Sequence, residues 1–179
     1  VSGKVPQSLS LYVAAQSLGG IVGSDEFNQG QNKLPLLWQW NHNPVSSGWS
    51  LSARPGYLRL TTTHVTPGLL GARNSLTQRV FGPQSSASVA IETANMKDGD
   101  YAGLAALQAK YGFVGVSRSA NAQAIVMISA ATGAAQEQLG VGAGWGLGRR
   151  RVDLCVELHS DRDPPVAHRV VLRAVATEP

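Results

Sequence analysis

Short segments of alternating apolar and polar residues recur along the middle of the chain, at intervals of about ten residues. Alternation of this kind places apolar side chains on one face of a β-strand, as for Leu58 and Leu60 or for Val89 and Ile91. Turn-forming pairs such as Pro55-Gly56 separate the segments. The pattern predicts strands over residues 57–61, 76–81, 88–93, 101–108, 111–116 and 124–128. Strands with this spacing indicate an all-β fold, an antiparallel sandwich or barrel.

Two segments need separate treatment. Residues 101–110 are rich in helix formers, but strand-like segments flank them and Gly103 interrupts them, so we expect a strand there. The composition changes near residue 140, where glycine alternates with other residues as far as Gly148. We therefore divide the chain into an irregular N-terminal segment or linker (1–23), a β-sandwich (24–140) and a divergent Gly/Arg-rich tail (141–179). One or two strands are expected in the tail, at 152–158 and 170–172.

Composition limits the classes of function. The 179 residues suit one domain, and only 15% of them are charged, with a net charge of +4, so a basic face for nucleic acid is not expected. The single cysteine excludes an intramolecular disulfide and any multi-cysteine metal site.

No apolar run reaches the ~20 residues of a membrane helix. Residues 9–22 match a signal peptide poorly, which leaves the localisation open, the parent being cytoplasmic or secreted.

Catalytic patterns are weak in this sequence. Two pairs of carboxylates lie close together in the sequence, and they are Asp25/Glu26 and Asp98/Asp100. Such pairs are typical of turns and strand starts. The chain has no G-x-S-x-G elbow and no phosphate-binding loop, and nothing distinguishes a histidine as a general base. The segment His159-Ser160-Asp161-Arg162-Asp163 fits a solvated loop better than a metal site. We do not expect the chain to be an enzyme by itself.

Three of the four tryptophans, Trp38, Trp40 and Trp49, lie within twelve residues. Sugars present apolar C–H faces and hydroxyl groups, so proteins hold them with aromatic rings and polar side chains, and this segment carries both. On a strand Trp38 and Trp40 share a face, where they are either core residues or a platform. Trp49 follows Gly48 in a polar stretch and is the best candidate for an exposed platform.

Longer motifs resemble a known family, and they occur in order between residues 24 and 128. They are Trp-Gln-Trp-Asn-His-Asn-Pro (38–44), Arg-Pro-Gly-Tyr-Leu-Arg-Leu (54–60), Arg-Asn-Ser-Leu-Thr-Gln-Arg (73–79) and Met-Lys-Asp-Gly-Asp-Tyr-Ala-Gly-Leu (96–104). This arrangement closely resembles the C-terminal β-sandwich of family 43 glycoside hydrolases, β-xylosidases and α-L-arabinofuranosidases. The resemblance implies a concanavalin A-like jelly roll, also classed as a family 91 carbohydrate-binding module associated with xylan.

The resemblance also implies a function and partners. In those enzymes a separate propeller carries the catalytic carboxylates, so this chain is expected to be a non-catalytic accessory module that binds xylan or xylo-oligosaccharide. The alternative is a structural lid that packs on the propeller without binding sugar itself. Neither nucleic acid nor a membrane is expected as a partner. The expected sugar contacts are Trp40, Asn41, His42, Trp49, Arg79 and Tyr101.

Other residues of the motifs are expected to be structural. Arg54 would anchor a turn and Asp100 would cap one. No cofactor is expected, although a structural calcium, common in jelly-roll sugar binders, is considered near Asp25 or Asp100. After about residue 135 the family continues into aromatic-rich closing strands that this tail does not resemble. We therefore expect a sandwich that is incomplete at its C-terminus, with one or both ends truncated or read from a shifted frame.

Overall fold

The computed structural model describes residues 20, 22–81, 84–120, 122–130, 140–141, 151–159 and 169–176. Most of the predicted N-terminal linker, the glycine-rich stretch after Val141 and residues 160–163 of the histidine-containing segment lie outside the described residues. In the part of the chain that is described, no helix is long and apolar enough to cross a membrane.

Almost all regular structure in the described residues is β-strand. The strands are β1 (Gln39–Trp40), β2 (Trp49–Ser50), β3 (Arg59–Leu60), β4 (Leu76–Arg79), β5 (Gln84–Glu92), β6 (Asp100–Leu107), β7 (Tyr111–Ser119), β8 (Ala122–Ser129), β9 (Gly140–Val141), β10 (Arg151–His159) and β11 (Arg169–Ala176). Two single 3₁₀ turns, Ser46–Gly48 and Leu69–Gly71, accompany them. The all-β prediction is confirmed, and residues 100–107 form a strand despite their helix propensity.

The predicted strand at 57–61 is shorter than expected. Only Arg59–Leu60 pairs as a strand, because the preceding residues are used in a turn. The Tyr57 amide donates to the Arg54 carbonyl at 3.2 Å, and Gly56 adopts a φ of 78° that favours glycine. Alternation alone extended this strand too far towards the N-terminus.

The larger sheet has seven strands in the order β1-β4-β11-β6-β7-β8-β9, and all its pairings are antiparallel. β11 comes from the tail and lies between β4 and β6. Its Leu172 stands opposite Leu76 of β4 on one side and opposite Leu104 of β6 on the other. The tail therefore contributes a strand to the interior of the sheet.

A second tail strand completes a two-stranded ribbon. β10 pairs with β5 along the full length of both, from Arg151 opposite Glu92 to His159 opposite Gln84. Along β5, exposed and half-buried residues alternate, and Val89 and Ile91 are on the half-buried side, as the sequence predicts. The ribbon lies against β6 and β7, and a small pair formed by β2 and β3 makes the third sheet.

The two faces of the seven-stranded sheet carry different residues. We call one the Trp40 face, because Trp40 stands opposite Leu76 and this row continues across β11 to Leu104. The opposite Phe113 face carries Phe113, which pairs with Ala105 and with Ile128. A buried cluster covers the Phe113 face, and it consists of Leu69, Ala105, Leu107, Tyr111, Phe113, Val126, Ile128 and Ala130.

Two glycines make room for the Phe113 ring. Gly103 of β6 stands opposite Gly115 of β7 on the Phe113 face. A Cβ atom added at Gly103 would lie 2.8 Å from Cζ of Phe113 and would collide with the carbonyl oxygen of Val114. A Cβ atom at Gly115 would also collide with the Phe113 ring. The ring occupies the space that side chains would fill at both positions.

Replacing Gly103→Ala should lower the free energy of unfolding by about 1–3 kcal/mol, because the added methyl group overpacks a backbone-lined site. The matched control is Gly112→Ala, since nothing lies within 4 Å of a Cβ atom added at Gly112 of the neighbouring strand. Urea denaturation measures both variants. An equal effect at the two positions would contradict the packing described here.

Candidate functional site

The structure brings Trp40 and Trp49 together from two different sheets. Trp40 is held opposite Leu76 on β4, and Trp49 is held opposite Leu60 on β3. Their ring centroids are 5.3 Å apart with an interplanar angle of 54°, a tilted aromatic pair. Both side chains are half-buried. Trp49 is therefore not the exposed platform that the polar stretch around it suggested, because one side of its ring is used against Trp40.

Asn74 fixes the segment that connects the two tryptophans. Its side-chain oxygen accepts a hydrogen bond from the Val45 amide at 2.8 Å, and its side-chain nitrogen donates to the Val45 carbonyl at 3.2 Å. Asn74 is buried and has a φ of 54°, a left-handed conformation that asparagine tolerates better than most residues. The following Gly48 packs so closely that an added Cβ atom would collide with the Asn74 amide. The connection is rigid at the point where it enters β2.

A polar depression lies beside this connection. It is shallow and open to solvent, and its lining residues are Leu60, Thr61, Thr62, Thr63, His64, Ala72, Arg73 and Asn74. The hydroxyl of Thr63 is 3.0 Å from Nδ1 of His64. The Arg73 guanidinium donates to the Asn43 carbonyl at 3.3 Å. Hydroxyl, imidazole, guanidinium and amide groups thus line a concave surface next to the strand that carries Trp49.

Sequence reasoning did not select the residues of this depression. Arg73 and Asn74 belong to one of the family-like motifs, but the sequence does not single them out. Residues 61–64 are three threonines and a histidine with no periodic signal. They meet because the Thr61 amide donates to the Gly48 carbonyl at 2.9 Å, while Asn74 binds the same connection from the other side. Only the folded loops reveal this juxtaposition.

Asn41 and His42 lie at the end of β1 that carries Trp40. The Asn41 amide donates to the Ser75 carbonyl at 2.9 Å, and the side chain of Asn41 is half-buried. His42 is exposed, and its Nε2 donates to the Leu70 carbonyl at 2.6 Å. This hydrogen bond ties the chain after β1 to the 3₁₀ turn at residues 69–71.

Arg79 and Tyr101 are on the other side of the sheet. Arg79 stands opposite Arg169, which in turn is opposite Leu107, so its side chain belongs to the Phe113 face. Tyr101 stands opposite Ser117 on that same face and packs against the buried cluster. The structure therefore brings together Trp40 and Trp49, with Asn41 and His42 next to Trp40 in the chain, and it separates the ring pair from Arg79 and Tyr101.

Trp38 has a structural environment. Its Nε1 donates to Oδ2 of Asp25 at 2.8 Å, and its ring stacks on Phe27 at a centroid distance of 5.7 Å. Oδ1 of Asp25 accepts hydrogen bonds from the Phe27 amide at 2.8 Å and from Nε2 of Gln29 at 2.7 Å. The Asp25 carboxylate joins the chain before β1 to the Trp38 ring.

The same contacts bear on calcium. N–H groups aimed at both oxygens of Asp25 do not favour a cation there. Asp100 accepts hydrogen bonds from the Lys97 amide at 2.7 Å and from the Thr62 hydroxyl at 3.4 Å, which is the turn cap expected from the sequence. Within the described residues, no group of three or more His, Cys, Asp or Glu residues is placed to hold a metal. A calcium at either carboxylate stays a prediction that these hydrogen bonds do not support.

Arg54 anchors a turn, as expected. Its guanidinium forms a salt bridge with Glu92 at the end of β5 and lies 3.7 Å from the centre of the Tyr57 ring. The hydrogen bond to the Glu92 carboxylate raises the pKa of Arg54 above its ordinary value. The turn before β3 is thereby attached to the ribbon.

Replacing Asp25→Asn should lower the free energy of unfolding by about 1–3 kcal/mol, because an amide nitrogen would then face an N–H donor in place of one carboxylate oxygen. Glu26→Gln is the matched control, since Glu26 is the exposed neighbour. Unfolding in urea followed by tryptophan fluorescence reports both stability and the Trp38 environment. If the two variants were equally stable, the Asp25–Trp38 link would not hold this segment.

Residues 24–162 match the model of a family described as the β-xylosidase C-terminal concanavalin A-like domain. A putative β-xylosidase of Xylanibacter ruminicola is 39% identical over 85 residues, covering 48% of this chain and 16% of the relative. A β-xylosidase of Formosa agariphila is 32% identical over 105 residues, covering 47% of this chain and 18% of the relative. The chain thus corresponds to less than a fifth of the length of these curated relatives.

Solved structures show the same relationship. A bifunctional GH43-CE protein of Bacteroides eggerthii aligns with a TM-score of 0.75 and 34% identity, covering 100% of this chain and 27% of that one. A GH43 glycoside hydrolase engineered to display endo-xylanase and exo-arabinofuranosidase activity aligns with a TM-score of 0.75 at 22% identity, covering 94% of this chain and 39% of that one. The second likeness concerns the fold alone.

These matches confirm the concanavalin A-like sandwich expected from the motifs. The family match continues to residue 162, beyond the motifs between residues 24 and 128 that carry the resemblance. The match to the tail is carried by the region of β10, whose pairing with β5 is part of the fold.

Proposed function

The chain belongs to the β-xylosidase C-terminal concanavalin A-like domain family, and from this premise we propose that it is a non-catalytic accessory domain of a family 43 glycoside hydrolase that contacts xylan at the Trp40–Trp49 pair. The enzymatic activity belongs, in this proposal, to the rest of the parent protein. The observation that carries the proposal is the tilted ring pair beside a polar depression.

The chemistry of this pair suits a sugar. Aromatic rings contribute apolar contact area at low conformational cost, and the two rings hold each other in place before any ligand arrives. The threonine hydroxyls, His64 and Arg73 of the adjoining depression supply donors and acceptors for sugar hydroxyls. A neutral xylose unit stacked on the rings would thus reach polar groups without rearrangement of the loops.

The proposed contact set differs from the one expected from sequence. Trp40, Trp49 and His42 form it, with Asn41 beside them. Arg79 and Tyr101 do not join it, because their side chains belong to the Phe113 face. In the proposal, His42 keeps its role of orienting the loop, through its hydrogen bond to Leu70.

Four carboxylates of the described residues have structural partners, which supports a non-catalytic role. Asp25 and Asp100 accept hydrogen bonds from backbone amides, and Glu92 and Asp98 pair with arginines. A glycosidase needs two carboxyl groups free to exchange protons or attack the sugar. These four side chains have structural partners instead.

Trp49→Ala should weaken retention on insoluble xylan at least several-fold, because the variant loses half of the ring pair, whereas Trp49→Phe should keep part of it. The affinity of the wild type is expected to be about 10 µM to 1 mM, since a few stacked rings at an open surface supply only about 4–7 kcal/mol. Pull-down on xylan and on cellulose, with the full 179-residue chain, gives the measurement.

Two controls make this test specific. Arg79→Gln changes an exposed residue of the opposite face and should not change retention. Thermal melting of each variant separates loss of sugar contact from loss of fold. Retention of the wild type on both polysaccharides alike, or on neither, would overturn the xylan proposal.

A second function, that of a lid that packs on the catalytic domain, is favoured by exposed apolar side chains at one end of the β1–β4 pair. Leu36, in the turn before β1, is 99% exposed, and Phe81, after β4, is 54% exposed. Both lie at the same end because β1 and β4 are antiparallel and Gln39 stands opposite Thr77. Large apolar side chains with this much surface exposed to water suit the centre of a domain interface, because docking would bury that surface.

Leu36→Ser should weaken association with the catalytic domain of the parent enzyme while leaving the melting temperature of this chain unchanged, because the side chain makes little contact within the fold. Leu70→Ser, 43% exposed at the other end of β1, is the matched control. Titration of separately produced catalytic domain measures the association. Identical affinities of the two variants would exclude this end as the docking surface.

A further inference from the structure

The polar depression beside Trp49 carries a positive charge, whereas the Trp40–Trp49 pair is uncharged. Arg73 and His64 line it, and its lining contains no carboxylate side chain. Thr62 of the lining donates its hydroxyl to the Asp100 carboxylate at 3.4 Å, and the Lys97 amide donates to the same carboxylate. A ligand in the depression therefore meets one permanent positive charge, on Arg73.

The Arg73 guanidinium has an uncharged hydrogen-bond partner, and no carboxylate among the described residues forms a salt bridge with it. Nη1 donates to the Asn43 carbonyl at 3.3 Å, and the side chain is exposed. A guanidinium carries five N–H donors in a planar fork, so one bond to a neutral carbonyl leaves a pair of donors for another acceptor. Carboxylates match this fork with two parallel hydrogen bonds.

The remaining walls suit a sugar ring. The Thr63 hydroxyl and His64 form a hydrogen-bonded pair, and the Asn74 amide is fixed by its two bonds to Val45. The depression is shallow and open to solvent, so a sugar ring would lie across its mouth, with its hydroxyl groups facing these side chains. The depression thus combines hydroxyl recognition with one carboxylate partner.

We propose that this depression is a subsite for a uronic acid, a sugar that bears a carboxylate, with Arg73 binding the carboxylate and the threonine hydroxyls binding the ring. The inference rests on the proposed function, because the Trp40–Trp49 pair would hold a neutral unit of the same chain. The subsite makes the domain select acidic xylan segments over neutral ones.

The test compares two soluble ligands by calorimetric titration of the full chain: a neutral xylo-oligosaccharide and one of the same backbone length that carries a single uronic acid. The acidic ligand should bind about two- to fivefold more tightly at low salt, the range of an exposed ion pair. This preference should disappear near 0.5 M salt, where the screening length falls to about 4 Å.

Three variants locate the effect. Arg73→Gln should reduce the preference for the acidic ligand to about one, and Arg73→Lys should restore only part of it because a lysine lacks the planar fork. Arg79→Gln, which removes an exposed arginine from the opposite face, should keep the full preference. Thermal melting confirms that each variant is folded.

The outcomes separate this inference from the function on which it rests. Equal affinity of the wild type for both ligands would overturn the uronic acid subsite and leave xylan binding standing. Absence of binding to either ligand would overturn both. An equal loss of preference in Arg79→Gln and Arg73→Gln would show that net charge alone attracts the acidic ligand, and this would also overturn the subsite.

Discussion

The position of β11 is the constraint on which the rest of the structure depends. This strand lies between β4 and β6, and without it the β1–β4 pair would have no hydrogen-bonded connection to the sheet formed by β6, β7, β8 and β9. The row of Leu76, Leu172 and Leu104 crosses the junction in register. Because Trp40 stands opposite Leu76, the tail strand indirectly sets where the tryptophan pair lies relative to the main core. A segment that differs in composition from the rest of the chain thus supports its most distinctive site.

The loops around the tryptophan pair are joined through a few short polar contacts. Asn74 links the turn before β4 to the connection that enters β2, the Thr61 amide links the segment after β3 to the same connection, and His42 adds a link to the 3₁₀ turn at residues 69–71. The Asn74 and His42 contacts each join residues about 30 positions apart in the chain, so the site is a product of tertiary structure and not of one motif. Such fixed loops bind weakly held ligands without a large ordering cost. In the proposed function, this would reduce the ordering cost of a contact with xylan.

Fold and site differed in how far the sequence could predict them. Alternating residues with turn signals predicted the all-β class and located β5, β7 and β8, because a period of two is dictated by strand geometry itself. The strand at 57–61 was overextended, since a turn at Gly56 competes with the pattern. For the site, the clustering of tryptophans in the sequence predicts the proximity of Trp40 and Trp49. The sequence also groups Arg79 with them, whereas its position on β4 assigns its side chain to the opposite face. Face assignment requires the strand register, here the pairing of Trp40 with Leu76, which neither segment reveals in its own sequence.

The two outermost strands of the seven-stranded sheet, β1 and β9, are only two residues long each. A sheet edge recruits other chains through its unpaired N–H and C=O groups, and edges this short present few of them. The interior strands, with eight or nine residues in β6, β7 and β8, are shielded by partners on both sides. The edges of the seven-stranded sheet therefore offer little for pairing with a second copy of the chain, whereas the nine-residue strands of the β5–β10 ribbon pair only with each other among the described residues and present longer edges.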